Sequence, residues 1–429
     1  GNTDICNANS LTFPITGTSN NPPGTTYTVT FNDGSTPQIF NHPPPSSVTH
    51  TFTSSSCGTT SSDGSNTYPN SFSANIVANN PCSTSSVGVV PIYVSQNPIA
   101  NFNSPPTACL NSQVCLTNTS QGNQVINNNC SPPAIVWSIT PSTGFSVVGA
   151  SSLGNDFAST DPNLWLPGSD SLCLIFTVGG TYSITIKTGN KCGIDTETKT
   201  ICIQPALNPT FTLNPTTGCA PLAISTTNTT NFSNQCTPPT NVWSVSYTAA
   251  NCGTSITPIP NQTTQNATFN FTEAGNYTIT LTTTNSCGST NTSQTVTVKK
   301  PPTVALGNIA NLCQGNTVTP TATVNGCTPN TSGVTYAWSF PGGTPSSATS
   351  ASAPAVSYAT TGNYTITLAV TNECGTTTAT STTFVVQSAA TIQNDTTAVC
   401  SGTPFSITPS TTTPGNIIPA GTTYSWSAP

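Results

Sequence analysis

An aromatic residue is followed by a cysteine ten positions later at four places in this chain. The four pairs are Phe72/Cys82, Tyr182/Cys192, Tyr277/Cys287 and Tyr364/Cys374. The last three lie in nearly the same phrase, of which Gly275-Asn-Tyr-Thr-Ile-Thr-Leu-Thr-Thr-Thr-Asn-Ser-Cys-Gly288 is typical. The aromatic residues stand 110, 95 and 87 positions apart, and about a hundred residues is the size of one compact domain. The spacing therefore predicts an array of related modules.

The composition excludes several classes of partner. Among 429 residues there are 5 Lys, no Arg and 11 Asp or Glu, for a net charge of −6, so nucleic acid and anionic membrane surfaces are poor partners. No apolar run reaches the roughly 18 residues of a membrane helix. The 17 cysteines include no Cys-x-x-Cys pair, which indicates disulfides and export to an oxidising space rather than zinc ligation.

Two strands recur along the chain, each with hydrophobic residues alternating at period two. One begins with the repeated tyrosine, and the other lies upstream and carries a tryptophan. The first module substitutes Tyr27, Val29 and Phe31 for the tryptophan strand. We predict that the repeated aromatic residues form the cores, rather than ligand platforms. They are Trp137, Trp243, Trp338 and Trp426 on the upstream strand, and Tyr182, Tyr277 and Tyr364 on the other.

Proline-rich joints mark the predicted module boundaries, because proline suits strand ends and stiff linkers. The predicted modules are residues 1–97, 98–204 (with an insertion near 145–172), 205–300 and 301–387. Residues 388–429 repeat the start of a module and stop after the tryptophan strand, so we expect them to be the N-terminal part of a fifth.

The modules resemble PKD (polycystic kidney disease) domains, which are immunoglobulin-like sandwiches. The resemblance is carried by Tyr27-Thr-Val-Thr-Phe-Asn-Asp-Gly-Ser35, by His50-Thr-Phe52 and by the three Gly-x-Tyr phrases. Modules two to five depart from the pattern because they lack the Asp-Gly turn. The resemblance implies an all-β fold, a tandem array of antiparallel immunoglobulin-like (PKD-like) β-sandwiches.

Strings of Thr/Asn-rich PKD-like modules with added cysteines are similar to very large surface proteins of gliding Bacteroidota. Those proteins leave the cell by the type IX secretion system, and some are gliding-motility adhesins. The similarity implies a non-catalytic stalk or filament segment of an extracellular adhesin on a bacterial surface. Its partners would be neighbouring modules, the secretion or motility machinery, or surface glycans. PKD-like modules also serve as spacers in secreted polysaccharide-degrading or proteolytic enzymes, so that reading stays open, as does a carbohydrate-binding array.

The resemblance also implies a set of disulfides. In an immunoglobulin-like sandwich the loop before the tryptophan strand and the turn after the tyrosine strand share one end. We therefore expect bonds within modules, each worth roughly 3–4 kcal/mol on the chain-entropy model. These are Cys130–Cys192, Cys236–Cys287, Cys327–Cys374 and Cys57–Cys82, with Cys219–Cys252 as a further option. The pairing of the others is left open, namely Cys6, Cys109, Cys115, Cys173, Cys202, Cys219, Cys252, Cys313 and Cys400.

The titratable residues predict no catalytic, cofactor or metal site. His42 and His50 are the only histidines, and we expect His50 to make a structural hydrogen bond. Asp156, Asp161 and Asp170 form the densest acidic group. They could supply part of a calcium site, but a solvated loop is the favoured interpretation.

Two further features lie outside the repeated strands. The module-two insertion contains an apolar group, Leu164-Trp165-Leu166, which we expect to pack on its own or a neighbouring module, with a partner or glycan contact as the alternative. Ser171 and Thr396 follow Asp170 and Asp395 in short sequences that resemble O-glycosylation sites of Bacteroidota.

Overall fold

The computed structural model describes residues 3–327, 333–394, 396, 398–419 and 421–426. Within this part the regular structure is β-strand, apart from one 3₁₀ turn at Pro162–Leu164. No helix there has the length and apolarity needed to cross a membrane. The many Thr, Val, Ile and aromatic residues favour strands because they fit a pleated, half-buried surface. The predicted fold class, tandem immunoglobulin-like β-sandwiches, is confirmed.

The chain divides into two compact units. The first consists of Gly1–Leu207, Phe232–Pro239 and Thr284–Ser289. The second consists of Asn208–Asn231, Thr240–Thr283 and Thr290–Pro429. Four sandwiches, each with its own hydrophobic core, follow one another along the chain.

Sandwich 1 packs a five-stranded sheet, in the order β1-β9-β8-β3-β4, against the pair β2-β5. Val29, Phe31, Phe52 and Phe72 fill the space between them. Its strands are β1 (Asp4–Cys6), β2 (Ser10–Pro14), β3 (Thr26–Phe31), β4 (Gln38–Asn41), β5 (Ser47–Thr51), β6 (Thr60–Ser62), β7 (Thr67–Pro69), β8 (Phe72–Asn80) and β9 (Ser83–Ser95).

Sandwich 2 packs the sheet β10-β12-β17-β16 against the sheet β11-β19-β18-β15, with β13-β14 as a separate hairpin. Its strands are β10 (Phe102–Asn103), β11 (Thr107–Cys109), β12 (Gln113–Asn118), β13 (Gln124–Ile126), β14 (Asn129–Ser131), β15 (Ala134–Thr140), β16 (Phe145–Val147), β17 (Ser171–Phe176), β18 (Gly180–Asn190) and β19 (Gly193–Gln204).

Sandwich 3 packs β20-β22-β24 against β21-β26-β25-β23. Its core residues belong to the second unit, and two segments at one end, 232–239 and 284–289, belong to the first. Its strands are β20 (Phe211–Asn214), β21 (Thr217–Cys219), β22 (Leu222–Asn228), β23 (Thr240–Ala249), β24 (Thr268–Phe271), β25 (Gly275–Asn285) and β26 (Gly288–Lys299).

Sandwich 4 has shorter strands in four small sheets, β27-β30, β28-β38-β35, β29-β34-β32 and β33-β31-β36-β37. They enclose one core. Its strands are β27 (Thr303–Leu306), β28 (Leu312–Cys313), β29 (Thr317–Val318), β30 (Ala322–Asn325), β31 (Thr335–Ser339), β32 (Gly343–Thr344), β33 (Ser347–Ala348), β34 (Val356–Tyr358), β35 (Gly362–Tyr364), β36 (Thr367–Asn372), β37 (Gly375–Thr380) and β38 (Phe384–Gln387).

Six of the seven repeated aromatic residues lie in a core or, as Tyr364 does, pack against one, and they satisfy their polar atoms. Trp137, Trp243 and Trp338 are at most 2% exposed, and each indole N–H donates to a backbone carbonyl at 2.9–3.1 Å. In sandwiches 2 to 4 the tyrosine O–H donates to the carbonyl four residues earlier, at 2.9–3.0 Å. That bond is the tyrosine corner of immunoglobulin-like sandwiches.

Trp426 does not lie in a core. The described residues after 387 form one isolated bridge, between Thr391 and Ile417, and no named strand. With no facing sheet to cover it there, Trp426 is 65% exposed, in contrast to the core position predicted from the repeat.

Candidate functional site: disulfide clamps at the junctions

Consecutive sandwiches are joined by disulfides. Six of the seven disulfides among the described residues connect one sandwich to the next, two at each junction, and each of them joins residues of the same compact unit. We call these six the junction clamps. They are Cys6–Cys192 and Cys57–Cys130, then Cys109–Cys287 and Cys202–Cys236, then Cys219–Cys374 and Cys252–Cys327.

The seventh disulfide lies within one sheet. Cys115 and Cys173 are directly opposite each other on β12 and β17 of sandwich 2, with Cα atoms 4.0 Å apart. The neighbouring residues on each strand point into the core, so this disulfide lies on the outer face of the sheet.

In one clamp of each junction, one cysteine is fixed by a short strand near the start of a sandwich, which we call the start strand (β1, β11, β21 and β28). The start strand pairs in parallel with the last strand of the same sandwich. Its cysteine, the start cysteine, is therefore opposite the residue at which the chain leaves the sandwich. The pairs are Cys6/Ser95, Cys109/Gln204, Cys219/Lys299 and Cys313/Gln387.

The other cysteine of the same clamp is fixed by the tight turn after the tyrosine strand (in sandwich 1, the strand that begins with Phe72), which we call the tip turn (residues 80–83, 190–193, 285–288 and 372–375). In every tip turn an asparagine Oδ1 accepts the backbone N–H of the cysteine two residues later, at 2.8–2.9 Å. The cysteine is thereby fixed at the corner of the hairpin. These asparagines are Asn80, Asn190, Asn285 and Asn372.

Three of these asparagines also bind the chain that arrives from the preceding sandwich. Asn190 Nδ2 donates to the Gln96 carbonyl at 2.8 Å, and Asn285 and Asn372 donate to the carbonyls of Pro205 and Lys300 at 2.9 and 2.8 Å. Sequence reasoning missed this role, although the signal was present: an asparagine precedes all four tip cysteines by two positions.

Polar side chains next to the clamps differ from junction to junction. Lys191 Nζ lies 2.5 Å from Asp4 Oδ1 beside Cys6–Cys192. Lys299, with a side chain only 7% exposed, lies 2.9 Å from Glu373 Oε1 beside Cys219–Cys374. At the intervening junction Gln204 donates to the Ser286 hydroxyl. The disulfides and the asparagine hydrogen bonds are the constant elements of the three junctions.

The pairing of cysteines differs from the one predicted. The cysteine before each tryptophan strand and the tip cysteine were expected to bond to each other, as in Cys130–Cys192, Cys236–Cys287 and Cys327–Cys374. Each of these six cysteines bonds to the preceding sandwich instead. The loop and the turn that carry them lie at the end of the sandwich where the chain arrives from the preceding one. Likewise Cys57 bonds Cys130 rather than Cys82, and Cys219 and Cys252 bond Cys374 and Cys327 rather than each other.

Three cysteines are thiols in this structure. Cys82, Cys313 and Cys400 are all exposed. Cys82 occupies the tip position of sandwich 1 and Cys313 the start position of sandwich 4.

His50 and Asp33 form a buried polar pair in sandwich 1. His50 Nε2 lies 2.6 Å from Asp33 Oδ2, and its ring stacks on Phe31 with centroids 3.7 Å apart. Burial raises the pKa of Asp33, but hydrogen bonds from Ser35 and His50 outweigh it and place that pKa below its ordinary value. Ser35 bonds to Asp33 rather than to His50, so these three residues do not have the order in which a histidine activates a serine.

The three aspartates of the module-two insertion have separate partners. Asp156 Oδ2 lies 2.6 Å from Lys187 Nζ, Asp161 caps the 3₁₀ turn, and Asp170 accepts from Asn118. No group of three or more potential metal-ligating side chains occurs in the described ranges.

The apolar group of the insertion is split between burial and exposure. Trp165 is 6% exposed and packs on β18, where Lys187 Nζ is 4.8 Å from its ring and Gly189 leaves room for the indole. Leu164 and Leu166 are 64% and 57% exposed. The indole therefore fastens the insertion to its own sandwich and presents two leucines to solvent.

Sandwich 1 also contains a cavity of about 430 Å³, between the β2 side and the β8–β9 hairpin. Its lining consists of hydroxyl, amide and aliphatic side chains with the aromatic rings of Phe13 and Tyr27, and includes no carboxylate, imidazole or thiol. Those groups offer no acid–base pair for hydrolysis.

The two candidate glycosylation residues are both on the surface. Ser171 and Thr396 are exposed. Asp395 and Thr397, which flank the second, lie outside the described residues.

One family model and several solved structures are similar to this chain. Residues 307–385 match the PKD domain. Three immunoglobulin domains of titin share 12% identity, with a TM-score of 0.39 over 68% of this chain and 99% of theirs. The insect immune protein hemolin shares 14%, with a TM-score of 0.26 over 90% of this chain and 98% of its own. Immunoglobulin domains 1–5 of Sidekick-1 share 12%, with a TM-score of 0.27 over 89% and 78%.

No curated protein sequence matches this chain. Sheet topology, tyrosine corners and the PKD match agree with one another. The chain is a repeat protein of PKD-like and immunoglobulin-like β-sandwiches, with the PKD domain itself matched over residues 307–385.

Proposed function

We propose that this chain is a load-bearing stalk segment of a secreted cell-surface adhesin, and that it carries out no catalysis. PKD-like and immunoglobulin-like repeats are structural or adhesion modules, and the disulfides suit an extracellular location. The finer assignment is to a bacterial surface, with export by a type IX system and a role in gliding or attachment. It is supported by the resemblance of the Thr/Asn-rich, cysteine-bearing modules to such adhesins.

The observation that carries the proposal is the overlap of the disulfides. The shortest covalent route from Cys6 to Cys374 crosses Cys6–Cys192, Cys202–Cys236 and Cys219–Cys374. Between these disulfides it follows only about 27 backbone positions, and the backbone itself takes roughly 370. At about 3.3–3.6 Å per extended residue, and with Cα atoms 5.5–5.7 Å apart across each disulfide, the clamped chain has a contour length of roughly 110 Å between these points. The reduced chain has one of roughly 1,200–1,300 Å.

This covalent route explains why the clamps lie between sandwiches and not within them. A disulfide inside one sandwich protects that sandwich alone, and the next linker still carries tension through a single backbone. A clamp between sandwiches carries tension past the linker and past most of both cores. Spacer modules that merely separate an enzyme from a surface have no need of this continuity, so the clamps favour a stalk under load.

The proposal includes the module boundaries 1–97, 98–204, 205–300 and 301–387, with a partial module in 388–429. Neighbouring modules of the same kind are its first partners, and export or motility machinery and surface glycans are others. Leu164 and Leu166 are the contact we propose for a partner or glycan, and Ser171 and Thr396 are proposed sites of O-glycosylation.

The test is a single-molecule stretching experiment on the whole chain, attached by its two ends, with and without a thiol reductant. We expect the oxidised chain to reach a contour length limited by the route through the disulfides. After reduction, separate unfolding peaks should release most of the remaining length. Release of the full length from the oxidised chain would overturn the load-bearing role.

A second measurement addresses the rival function, accessory modules of a secreted enzyme. The measurement is the sequence of the whole open reading frame that encodes this chain, because the other domains in it distinguish a stalk from an enzyme. Many further clamped modules support the stalk, and a hydrolase domain with a carboxylate pair or a catalytic triad supports the enzyme.

A further inference from the structure

We propose that Cys82 and Cys313 are the two half-sites of further junction clamps. Cys82 would form a disulfide with the start cysteine of a sandwich of the same architecture that precedes sandwich 1. Cys313 would form a disulfide with the tip cysteine of a sandwich of the same architecture that follows sandwich 4. The inference rests on the proposed function and specifies the chemistry of its partner, a thiol presented by a sandwich of the same architecture.

The tip turn of sandwich 1 has the geometry of the bonded tips. Asn80 Oδ1 accepts the Cys82 N–H at 2.9 Å, as Asn190 Oδ1 does for Cys192 at 2.8 Å. It differs from them in one bond. The other three tip asparagines donate Nδ2 to a carbonyl of the segment that arrives from the preceding sandwich, and the Asn80 amide has no acceptor among the described residues. An unused donor and an exposed thiol thus lie together in one turn.

Sandwich 4 presents the opposite half. Its start strand β28 pairs in parallel with its last strand β38, and Cys313 is opposite Gln387. Cys6, Cys109 and Cys219 are in the same register with the last residues of their own sandwiches, and all three are bonded to a tip cysteine. Cys313 is the one start cysteine of the four described sandwiches that is not bonded, and it is exposed.

The distribution of the other cysteines agrees with this assignment. The second clamp of each junction joins the cysteine before a tryptophan strand to the preceding sandwich. Sandwich 1 has no cysteine before β3 apart from its start cysteine, and sandwich 4 has none to offer a following sandwich apart from Cys313. The outer junctions would therefore be closed by one disulfide each, and all 17 cysteines except Cys400 are then used.

Cys400 repeats the start position. The last residue of one sandwich and the next start cysteine are separated by 14 or 15 positions at the three junctions, and Cys400 follows Gln387 at a similar spacing of 13. Its partner by the same rule is the tip turn one sandwich further along.

The bond-forming step requires an oxidant. Two thiols lose two protons and two electrons and form one S–S bond, and a low-molecular-weight disulfide such as oxidised glutathione accepts them and becomes two thiols. The partner sandwich holds its own cysteine next to Cys82 or Cys313, so that the two sulfur atoms reach the bonding distance of approximately 2 Å without movement of the backbone.

The test is a tandem chain in which residues 1–395 are followed directly by the complete chain, so that the second copy of Cys6 keeps the native spacing from the first copy of Gln387. Without the new clamp this protein has five thiols, and with it three. After refolding in a glutathione redox buffer, we expect peptide mapping by mass spectrometry without reduction to show a disulfide between Cys313 of the first copy and Cys82 of the second. The thiol count should fall from five to three.

Two variants make the result decisive. Cys82→Ser in the second copy should restore the Cys313 thiol without affecting the seven native disulfides of either copy, which confirms folding. Asn80→Ala in the second copy should slow formation of the new disulfide several-fold. Five reactive thiols with all native disulfides present would overturn the inference, as would Cys313 bonded elsewhere. Neither outcome would alter the stretching behaviour of the single chain, so the stalk proposal is tested separately.

Discussion

The core of a sandwich and the junction between two sandwiches are stabilised in different ways. In the core, Trp243 packs edge-on against Phe211 with centroids 5.0 Å apart, and its indole N–H is bonded to a carbonyl. At the junctions the constant contacts are disulfides, with one asparagine hydrogen bond to the arriving chain. The cores repeat an immunoglobulin-like plan and the junctions add covalent bonds to it.

The difference follows from the area available for burial. A sandwich of about 90 residues buries two sheet faces, which is enough for a noncovalent core. Each of the four hydrophobic core clusters lies within one sandwich, and a chain with 16 charged residues has few ion pairs to add at the junctions. A disulfide stabilises independently of buried area, since it acts on the unfolded state. The four predictions below test this division, from the largest expected effect to the smallest.

Trp243→Ala should destabilise the core most. Removal of a fully buried indole leaves a cavity, and we expect a loss of about 3–5 kcal/mol in the free energy of unfolding of sandwich 3. Urea unfolding with all disulfides intact, followed by near-ultraviolet circular dichroism, measures it. Trp426→Ala is the matched control, because its side chain is 65% exposed, and it should change little. Equal effects of the two substitutions would contradict the core assignment.

Removal of one junction clamp should have the next largest effect. The double variant Cys219→Ser/Cys374→Ser should lose about 2–4 kcal/mol. Because Cys252–Cys327 still joins sandwiches 3 and 4, the quadruple variant that also lacks this disulfide should separate their unfolding into two calorimetric transitions. The double variant Cys115→Ser/Cys173→Ser, which opens the disulfide within one sheet, is the control and should leave that coupling unchanged. A single unaltered transition in the quadruple variant would show that the clamps do not couple the two sandwiches.

Replacement of a tip asparagine should cost less. Asn190→Ala removes the acceptor for the Cys192 N–H and the donor to the Gln96 carbonyl, and we expect a loss of about 1–3 kcal/mol. Asn80→Ala removes the acceptor for the Cys82 and Ser83 N–H groups but no bond to an arriving chain, and it should cost about 0.5–1.5 kcal/mol. Hydrogen exchange of the Cys192 and Cys82 amides reports each turn directly. A cost for Asn80→Ala as large as that for Asn190→Ala would argue against a role of the asparagine at the junction.

The smallest effect is expected from the polar pair of sandwich 1. Because the pKa of Asp33 is lowered in the folded chain, its ionised form stabilises folding above the unfolded value of about 3.9. That contribution is lost as the pH falls through the lowered folded value. Asp33→Asn should therefore destabilise the chain by about 1 kcal/mol at pH 7, which is measured as a lower melting temperature. The difference in melting temperature between the variant and the unsubstituted chain should become smaller below pH 4. A difference that does not change with pH would contradict the assignment.

The cores could be predicted from the sequence to a large extent. Tyr277, Ile279 and Leu281 alternate with threonines, and such a pattern can bury only one face, so the strand and its inward residues follow from local chemistry. Trp426 shows the limit of that reasoning. It repeats the position of Trp243 in the chain, yet a residue is buried only where a second sheet covers it.

The pairing of the cysteines could not be predicted in the same way. Seventeen cysteines allow a very large number of connectivities, and spacing along the chain does not distinguish a partner in the same sandwich from one in the next. We placed Cys130 and Cys192 at the same end of a sandwich and therefore predicted a bond between them. In the structure each of them bonds to a cysteine of sandwich 1 instead.

The repeat, the all-β class, the inward face of the recurring strands and the positions of the tip cysteines follow from local chemistry, because period-two alternation and fixed intervals are local properties. Which sulfur atoms meet depends on how the strands pack in space. Parallel pairing of a start strand with a last strand places Cys6 beside the exit of its own sandwich. The hairpin corner at Cys192 then reaches it across 186 positions of chain, and such a contact depends on distances in space that no interval in the sequence encodes.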